Sequence, residues 1–103
     1  MIAKTPKTPY YAVIFTSKRT EINQDYDKIA DRMVTLAKKQ KGFLGVESAR
    51  NDLGITVSYW ESIESIKSWK NESEHKVAQQ KGKEVWYTAF KVRICKVERD
   101  YEF

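Results

Sequence analysis

Hydrophobic and polar positions follow two different periods in the first half of the chain. Residues 9–17, PYYAVIFTS, are rich in aromatic and β-branched side chains, which is typical of a β-strand. From Asp25 to Lys41 the apolar positions recur at intervals of three and four residues, which predicts a helix with one apolar face. Asn23 or Asp25 is the expected N-cap, and Gly42 stands where a glycine commonly ends a helix.

The second half predicts three more strands and a second helical region. The strands are expected over residues 42–50, 54–60 and 84–98. Ser62 is the expected cap of a short helix that contains Trp69. Asn71 or Ser73 is the expected cap of a further helical turn.

Alternation along the predicted strands places bulky side chains on both faces of a sheet. In the third strand Ile55, Val57 and Tyr59 share one face, and Thr56, Ser58 and Trp60 share the other. In the last strand one face is expected to carry Trp86, Phe90, Val92 and Ile94, and the other Tyr87, Lys91 and Arg93. Water alone does not cover a face of this kind, so we predict a homodimer that packs two such faces together.

The element order β-α-β-β-α-β is that of the split βαβ, or ferredoxin-like, arrangement. The predicted fold class is therefore α+β, with a four-stranded antiparallel sheet covered by helices on one face. A chain of 103 residues can close one such core without disulfides or a metal. We expect a single domain over residues 9–103 and a flexible N-terminal segment over residues 1–8.

Charge and cysteine content exclude several classes of protein. Lys and Arg outnumber Asp and Glu by 19 to 14, but these charges are dispersed and no nucleic-acid motif is present, so a nucleic-acid partner is not expected. The chain has no apolar run near the roughly 18 residues of a membrane span, and no signal peptide is apparent, so a cytoplasmic protein with no membrane partner is expected. Cys95 is the only cysteine, which rules out an intramolecular disulfide, and no metal site is expected.

The stretch SWKNESEHK contains the single histidine, His75, six positions after Trp69. Trp69 is either a core residue or part of a site. His75 is either a surface residue hydrogen-bonded to a carboxylate such as Glu72, or a proton donor or acceptor. A position near a helix N-terminus disfavours protonation of the imidazole, because that end of the helix dipole is positive. A neutral imidazole is the form that acts as a base. No nucleophile elbow, P-loop or dinucleotide-binding motif is present.

The chain also resembles a known family. The segments that carry the resemblance are PYYAVIF, KGFLGVES, GITVSYWESIESIKSWKNESEHKVAQQKGKEVWY and VRICKVERDY. Together they cover about Pro9 to Tyr101 and are similar to a bacterial branch of the antibiotic biosynthesis monooxygenase domain proteins. The resemblance implies a dimeric α/β barrel, in which two ferredoxin-like subunits place their sheets face to face.

The resemblance implies two alternative activities. Cofactor-free members of the family oxidise polycyclic phenols or quinol-like compounds with O₂, and here Trp69 matches the family tryptophan. In this case His75 would be the catalytic base, a small aromatic molecule the substrate, and no cofactor is expected. Polar groups available to bind the substrate are those of Tyr59, Tyr87 and Arg93.

Haem-degrading members use an asparagine on the first strand and a histidine about ten positions after the tryptophan. Here the first strand has no asparagine, and the tenth position after Trp69 is Gln79. Haem binding therefore stands as the alternative to an oxygenase without a cofactor. A third alternative is a non-catalytic dimeric small-molecule-binding or stress protein, because a fold does not determine a function.

Overall fold

The computed structural model describes residues 2–23 and 25–103, and it has the predicted order of elements. They are β1 (Tyr10–Arg19), α1 (Tyr26–Lys38), β2 (Phe43–Arg50), β3 (Gly54–Trp60), α2 (Ile63–Lys70), α3 (Ser73–Lys81), a π-helical turn (Gly82–Trp86) and β4 (Tyr87–Val97). The strands form one antiparallel sheet in the order β2-β3-β1-β4. This confirms the predicted α+β, ferredoxin-like fold.

The strand register defines two faces of the sheet. On the helix face, β1 contributes Tyr11, Val13, Phe15 and Ser17, whose partners on β4 are Lys96, Ile94, Val92 and Phe90. On the outer face, Ala12 lies between Tyr59 and Cys95, and Ile14 lies between Val57 and Arg93. The helices cover the first of these faces, since Trp60, opposite Tyr11, stacks against Trp69 of α2 and is fully buried.

The helix boundaries follow local capping chemistry. The N-cap of α1 is Asp25, which is one of the two residues expected there. Its side chain makes no capping hydrogen bond. The Ser62 hydroxyl accepts a hydrogen bond from the Ser65 amide, as predicted for the start of α2. The expected cap of α3 was wrong, because the N-cap is Glu72 and neither Asn71 nor Ser73.

The last strand begins later than expected, and this changes the direction of one candidate side chain. Residues 84–86 belong to a π-helical turn, so β4 starts at Tyr87. The pairing then shifts, because Lys18 lies opposite Ala89 while Arg19 lies opposite Tyr87. The extra residue is a bulge, which reverses the alternation. Tyr87 consequently shares the helix face with Phe90, and the prediction that it shares a face with Lys91 and Arg93 was wrong.

The N-terminal segment lies along the outer face. The Ala3 amide donates a hydrogen bond to Glu47 of β2 at 2.8 Å. The Thr5 hydroxyl donates to Tyr10 Oη at 3.0 Å, and Tyr10 in turn donates to Asp100 in the C-terminal tail. Tyr10 and Ala12 are buried beneath these contacts. The flexibility that we expected of residues 1–8 stays a prediction.

Within the part of the chain that the structure describes, no helix is long and apolar enough to cross a membrane.

Candidate functional site

Three rings form a stack that leads from the sheet to α3. The Trp69 ring lies 6.2 Å from that of Trp60, with 26° between the planes. The imidazole of His75 also stacks on Trp69, with ring centres 4.1 Å apart and an angle of 14° between the planes. The structure thus brings together the two residues that the sequence singled out as catalytic candidates.

The position of His75 follows from the break between α2 and α3. The carboxylate of Glu72 accepts hydrogen bonds from the backbone amides of Glu74 at 3.1 Å and His75 at 3.0 Å, and α3 starts after only two residues that separate it from α2. Carbonyl groups at the C-terminus of a helix lack intrahelical partners. His75 Nδ1 lies 2.8 Å from one of them, the Trp69 carbonyl, and so fastens the two helices together.

This contact determines which nitrogen of His75 carries a proton. A carbonyl oxygen only accepts, so Nδ1 must be the donor, and in the neutral ring Nε2 keeps its lone pair. Burial lowers the pKa of His75 below its usual 6.5, although the Trp69 carbonyl and the charge of Glu72 act in the opposite direction. His75 is therefore a neutral imidazole at pH 7, which suits a base.

Gln79 lies one turn further along α3 and contacts the same ring. Its amide nitrogen is 3.4 Å from His75 Nδ1 and 3.5 Å from Nε2, so it is directed at neither nitrogen alone. The same amide lies 3.4 Å from the Lys70 carbonyl at the end of α2. Gln79 thus supports the junction between the two helices.

The sheet separates two of the predicted substrate-binding residues from this stack. Tyr59 and Arg93 lie on the outer face. The Tyr59 hydroxyl donates to Glu47 at 2.6 Å, while burial and this carboxylate raise the pKa of Tyr59 to about 12. Neither Tyr59 nor Arg93 can therefore line a pocket together with Trp69 unless the fold changes.

Tyr87, in contrast, lies on the helix face and belongs to a second polar cluster. Its hydroxyl donates to the hydroxyl of Tyr26 at 3.2 Å. The Arg19 guanidinium lies 3.4 Å from the centre of the Tyr26 ring. Arg19 and Tyr26 are not among the site residues predicted from the sequence, because Tyr26 fits the apolar stripe of α1 and Arg19 is an isolated charge at the end of a strand.

An open strip of apolar surface separates the stack from this second cluster. Trp60 lies opposite Tyr11 near the beginning of β1, whereas Tyr87 lies opposite Arg19 at its end. At about 3.3 Å per residue, the two ends are about 25 Å apart. Between them β4 presents Phe90, Val92 and Ile94, which are 40%, 49% and 55% exposed, on the helix face.

Two surface pockets are also present, each of about 280 Å³. One lies between α1 and α3, beside the Arg32–Glu74 salt bridge, and its apolar lining includes Met33 and Val77. The other lies beside α2 and is lined by polar residues such as Gln40 and Ser68. Neither pocket is lined by Trp69 or His75.

This chain is similar to a known protein family and to several solved structures. Residues 9–81 match the family described as antibiotic biosynthesis monooxygenase. The chain belongs to this family. The uncharacterised protein YqjZ of Bacillus subtilis is 50% identical to this chain over 104 residues. The alignment covers 99% of this chain and 91% of YqjZ.

Solved structures share this fold. SnoaB of Streptomyces nogalater, a cofactor-independent oxygenase, superimposes with a TM-score of 0.76 at 6% identity, covering 90% of this chain and 97% of SnoaB. A conserved protein of Methanosarcina mazei superimposes with a TM-score of 0.75 at 11% identity, covering 84% of this chain and 91% of that protein. At these identities the likeness shows the shared fold alone.

The residues present do not fit the haem-degrading pattern. The first strand has no asparagine, and the only histidine, His75, stands six positions after Trp69 instead of about ten. Gln79 occupies the position where a ligating histidine is expected.

Proposed function

We propose that this member of the antibiotic biosynthesis monooxygenase family catalyses the oxidation of a small aromatic or quinol-like compound by O₂ without a cofactor. The observation that carries the proposal is the anchored, neutral imidazole of His75 stacked on Trp69. A phenol or an acidic methylene group must lose a proton before it can react with O₂, and Nε2 of His75 is a base placed on an aromatic wall.

In this proposal the substrate ring lies on the apolar strip of the helix face. Phe90, Val92 and Ile94 supply flat and branched apolar surface, which is what a planar ring system packs against. Trp69 touches the reacting end of the substrate and holds the imidazole in place. His75 Nε2 takes the proton.

The reaction needs no external reductant. For a methylene carbon that becomes a carbonyl, R₂CH₂ + O₂ gives R₂CO + H₂O, so the carbon loses four electrons and dioxygen gains four. One oxygen atom enters the product and the other leaves as water. The base takes the first proton from carbon, and this proton ends in the water.

Oxygen uptake with anthrone and 1,4-naphthohydroquinone tests this proposal. Wild-type protein should consume O₂ faster than the spontaneous reaction. The rate above the spontaneous background should be about 100-fold lower, or lower still, in His75→Ala. Lys76→Ala is the matched control, because Lys76 is an exposed neighbour on the same helix. As the pH is lowered, the wild-type rate should also fall with an apparent pKa below 6.5, because a protonated His75 cannot act as a base. This decrease at low pH should be absent from His75→Ala.

The outcomes separate the three alternatives. Uptake equal to the spontaneous rate with every compound tested would overturn the oxygenase proposal and favour a non-catalytic binding protein. A haemin titration run in parallel tests the other alternative. A saturable 1:1 shift of the Soret band that His75→Ala abolishes would favour haem binding.

We further propose that two copies of the chain pack their outer faces together as a homodimer. This face carries Ile14, Val57 and Ile55, of which Ile55 is 43% exposed, and helices cover only the opposite face. Ile55→Asp should yield a folded monomer in light scattering, because a buried unpaired carboxylate costs several kcal/mol. Thr56→Asp, on the helix face, is the control, and equal masses for both variants and wild type would contradict the proposal.

A further inference from the structure

The second polar cluster contains two arginine side chains whose hydrogen-bond partners, among the described residues, are neutral groups. We call Arg19, Tyr26, Arg50 and Tyr87 the Tyr–Arg cluster. The Arg50 guanidinium reaches across β3 to β1, where Nη1 donates to the Ser17 carbonyl at 3.4 Å and Nη2 donates to the Ser17 hydroxyl. Both guanidinium groups are close enough to Tyr87 to act on its hydroxyl by charge.

A missing side chain makes this path for Arg50 possible. Gly54, the partner of Arg50 across β2 and β3, has no Cβ, and a Cβ built there would collide with the guanidinium carbon. Ser17, which receives the guanidinium, is two residues from Arg19 and therefore on the same face of β1. The register of three strands thus brings two distant arginines to one end of the helix face.

Neither arginine is paired with a carboxylate. Arg19 donates to the Ile22 carbonyl at 3.1 Å and to the Asn23 side-chain oxygen at 2.9 Å, both neutral acceptors. Its buried Nε has no hydrogen-bond partner among the residues that the structure describes. In the described part of the chain, the salt bridge found is Arg32–Glu74, elsewhere on the surface. Two guanidinium groups at the same end of the helix face, with neutral acceptors as their partners, favour an anion beside them.

The tyrosine pair supplies a directed donor as well. Because the Tyr87 hydroxyl donates to Tyr26, the hydroxyl proton of Tyr26 is not used in that bond. A guanidinium has five N–H groups, and the two bonds from Arg50 to Ser17 use two of them. Donors therefore remain on both sides of the cluster.

Aromatic rings surround these donors on the side of the apolar strip. Phe15 packs against both Tyr87 and Phe90, with centroid distances of 5.3 Å and 5.5 Å, and Trp86 packs edge-on against Tyr26 at 5.4 Å. Phe90 begins the exposed strip on β4 that continues with Val92. A ring on this strip would present a substituent at its end to the Tyr–Arg cluster.

We infer that the Tyr–Arg cluster binds the carboxylate of a planar aromatic acid whose ring lies on the β4 strip. This inference rests on the proposed function for the use of the strip as a surface for planar rings. Because the Tyr–Arg cluster lies about 25 Å from the Trp69–His75 stack, the aromatic acid is a second ligand of the strip and not the compound that His75 deprotonates. Arg50 and Tyr26 contact the carboxylate, while Arg19 holds the Tyr26 ring and adds charge. Gly54 is a positioning residue for Arg50.

Binding of 2-naphthoate, measured by calorimetry without turnover, tests the inference. Naphthalene-2-carboxamide is the matched neutral compound of the same shape. The expected result is a 1:1 complex with naphthoate that is at least 10-fold tighter than that with the carboxamide, and that weakens as salt is added. Equal affinity for the two compounds, or no binding of naphthoate, would overturn the inference.

Variants locate the site. Arg50→Met and Tyr26→Phe should each weaken naphthoate binding by about 10-fold and leave carboxamide binding unchanged, and Arg50→Lys should restore part of the affinity. Lys91→Met removes the same charge from the outer face of β4 and should have no effect. Naphthoate affinity that is the same in Arg50→Met, Tyr26→Phe and wild type would place the anion elsewhere and refute the assignment. Circular dichroism of each variant excludes a loss of fold.

The two proposals fail in different ways. Selective naphthoate binding without any O₂ uptake would refute the oxygenase proposal and leave the anion site standing. Uptake with anthrone, together with absent or unselective naphthoate binding, would refute the anion site and leave the oxygenase proposal standing.

Discussion

Replacing His75 by Ala removes the contact that fastens α3 to the end of α2. The stack with Trp69, with ring centres 4.1 Å apart, contributes about 0.5–1.5 kcal/mol. The hydrogen bond from Nδ1 to the Trp69 carbonyl, at 2.8 Å, contributes a net of about 0.5–1.5 kcal/mol. We therefore expect the free energy of unfolding at pH 8 to fall by about 1–3 kcal/mol.

Urea denaturation followed by tryptophan fluorescence measures this loss. The control is Lys76→Ala, the next residue of α3, whose side chain is exposed and should change the free energy of unfolding by less than about 0.5 kcal/mol. Equal midpoints for the two variants, at an unchanged slope, would refute the reasoning that His75 joins the helices.

The effect should also depend on pH in a definite direction. Burial lowers the pKa of His75 in the folded state below its usual 6.5, so the unfolded chain takes up the proton first as the pH falls. The stabilisation by His75 is thus complete above pH 6.5 and is lost below it, down to the pKa of the folded state. The difference between wild type and His75→Ala should shrink over this interval, and a difference that grows would mean that the folded state prefers the imidazolium.

Three further changes test other parts of the structure. Gly42→Ala should lower the free energy of unfolding by about 1–3 kcal/mol, because the residue has φ +86° and its new Cβ would collide with Ser65; an unchanged urea midpoint would show that the turn relaxes freely. Glu72→Ala should cost about 1 kcal/mol by removing the N-cap of α3, and Glu72→Gln, which keeps an acceptor, should recover most of it. For Tyr59, whose folded pKa is about 12, the wild-type stability should decline as the pH rises from 10 towards 12, and Tyr59→Phe should show a flatter dependence over the same interval. A parallel decline in both proteins would exclude Tyr59 as its source.

Most of the fold could be predicted from local patterns in the sequence. The period of α1 and the alternation in β3 depend on side chains a few residues apart, and both elements formed where these patterns indicated. The Ser62 cap was also correctly predicted, since a hydroxyl three residues before the amide that it binds is a local arrangement. The start of β4 was not, because Val85 and Trp86, which end the π-helical turn, are residue types that also favour strands.

The candidate site was only half visible in the sequence. Trp69 and His75 stand six residues apart, on either side of a predicted helix break, so their proximity could be foreseen. The Tyr–Arg cluster could not, because Arg50 reaches Ser17 through the pairing of β2, β3 and β1. Tyr59 and Tyr87 lie on opposite faces of the sheet because of a bulge in β4, and no local pattern in the sequence predicts this bulge.

The sequence by itself therefore determined the elements, their order and the fold class, since hydrophobic period and capping act over a few residues. Only the tertiary structure decided which side chains share a face and which charges lack partners. A shift of one residue in strand pairing turns every later side chain to the opposite face, and that register is set by contacts between residues far apart in the chain. This is why Tyr87 joined Tyr26 on the helix face while Arg93 did not.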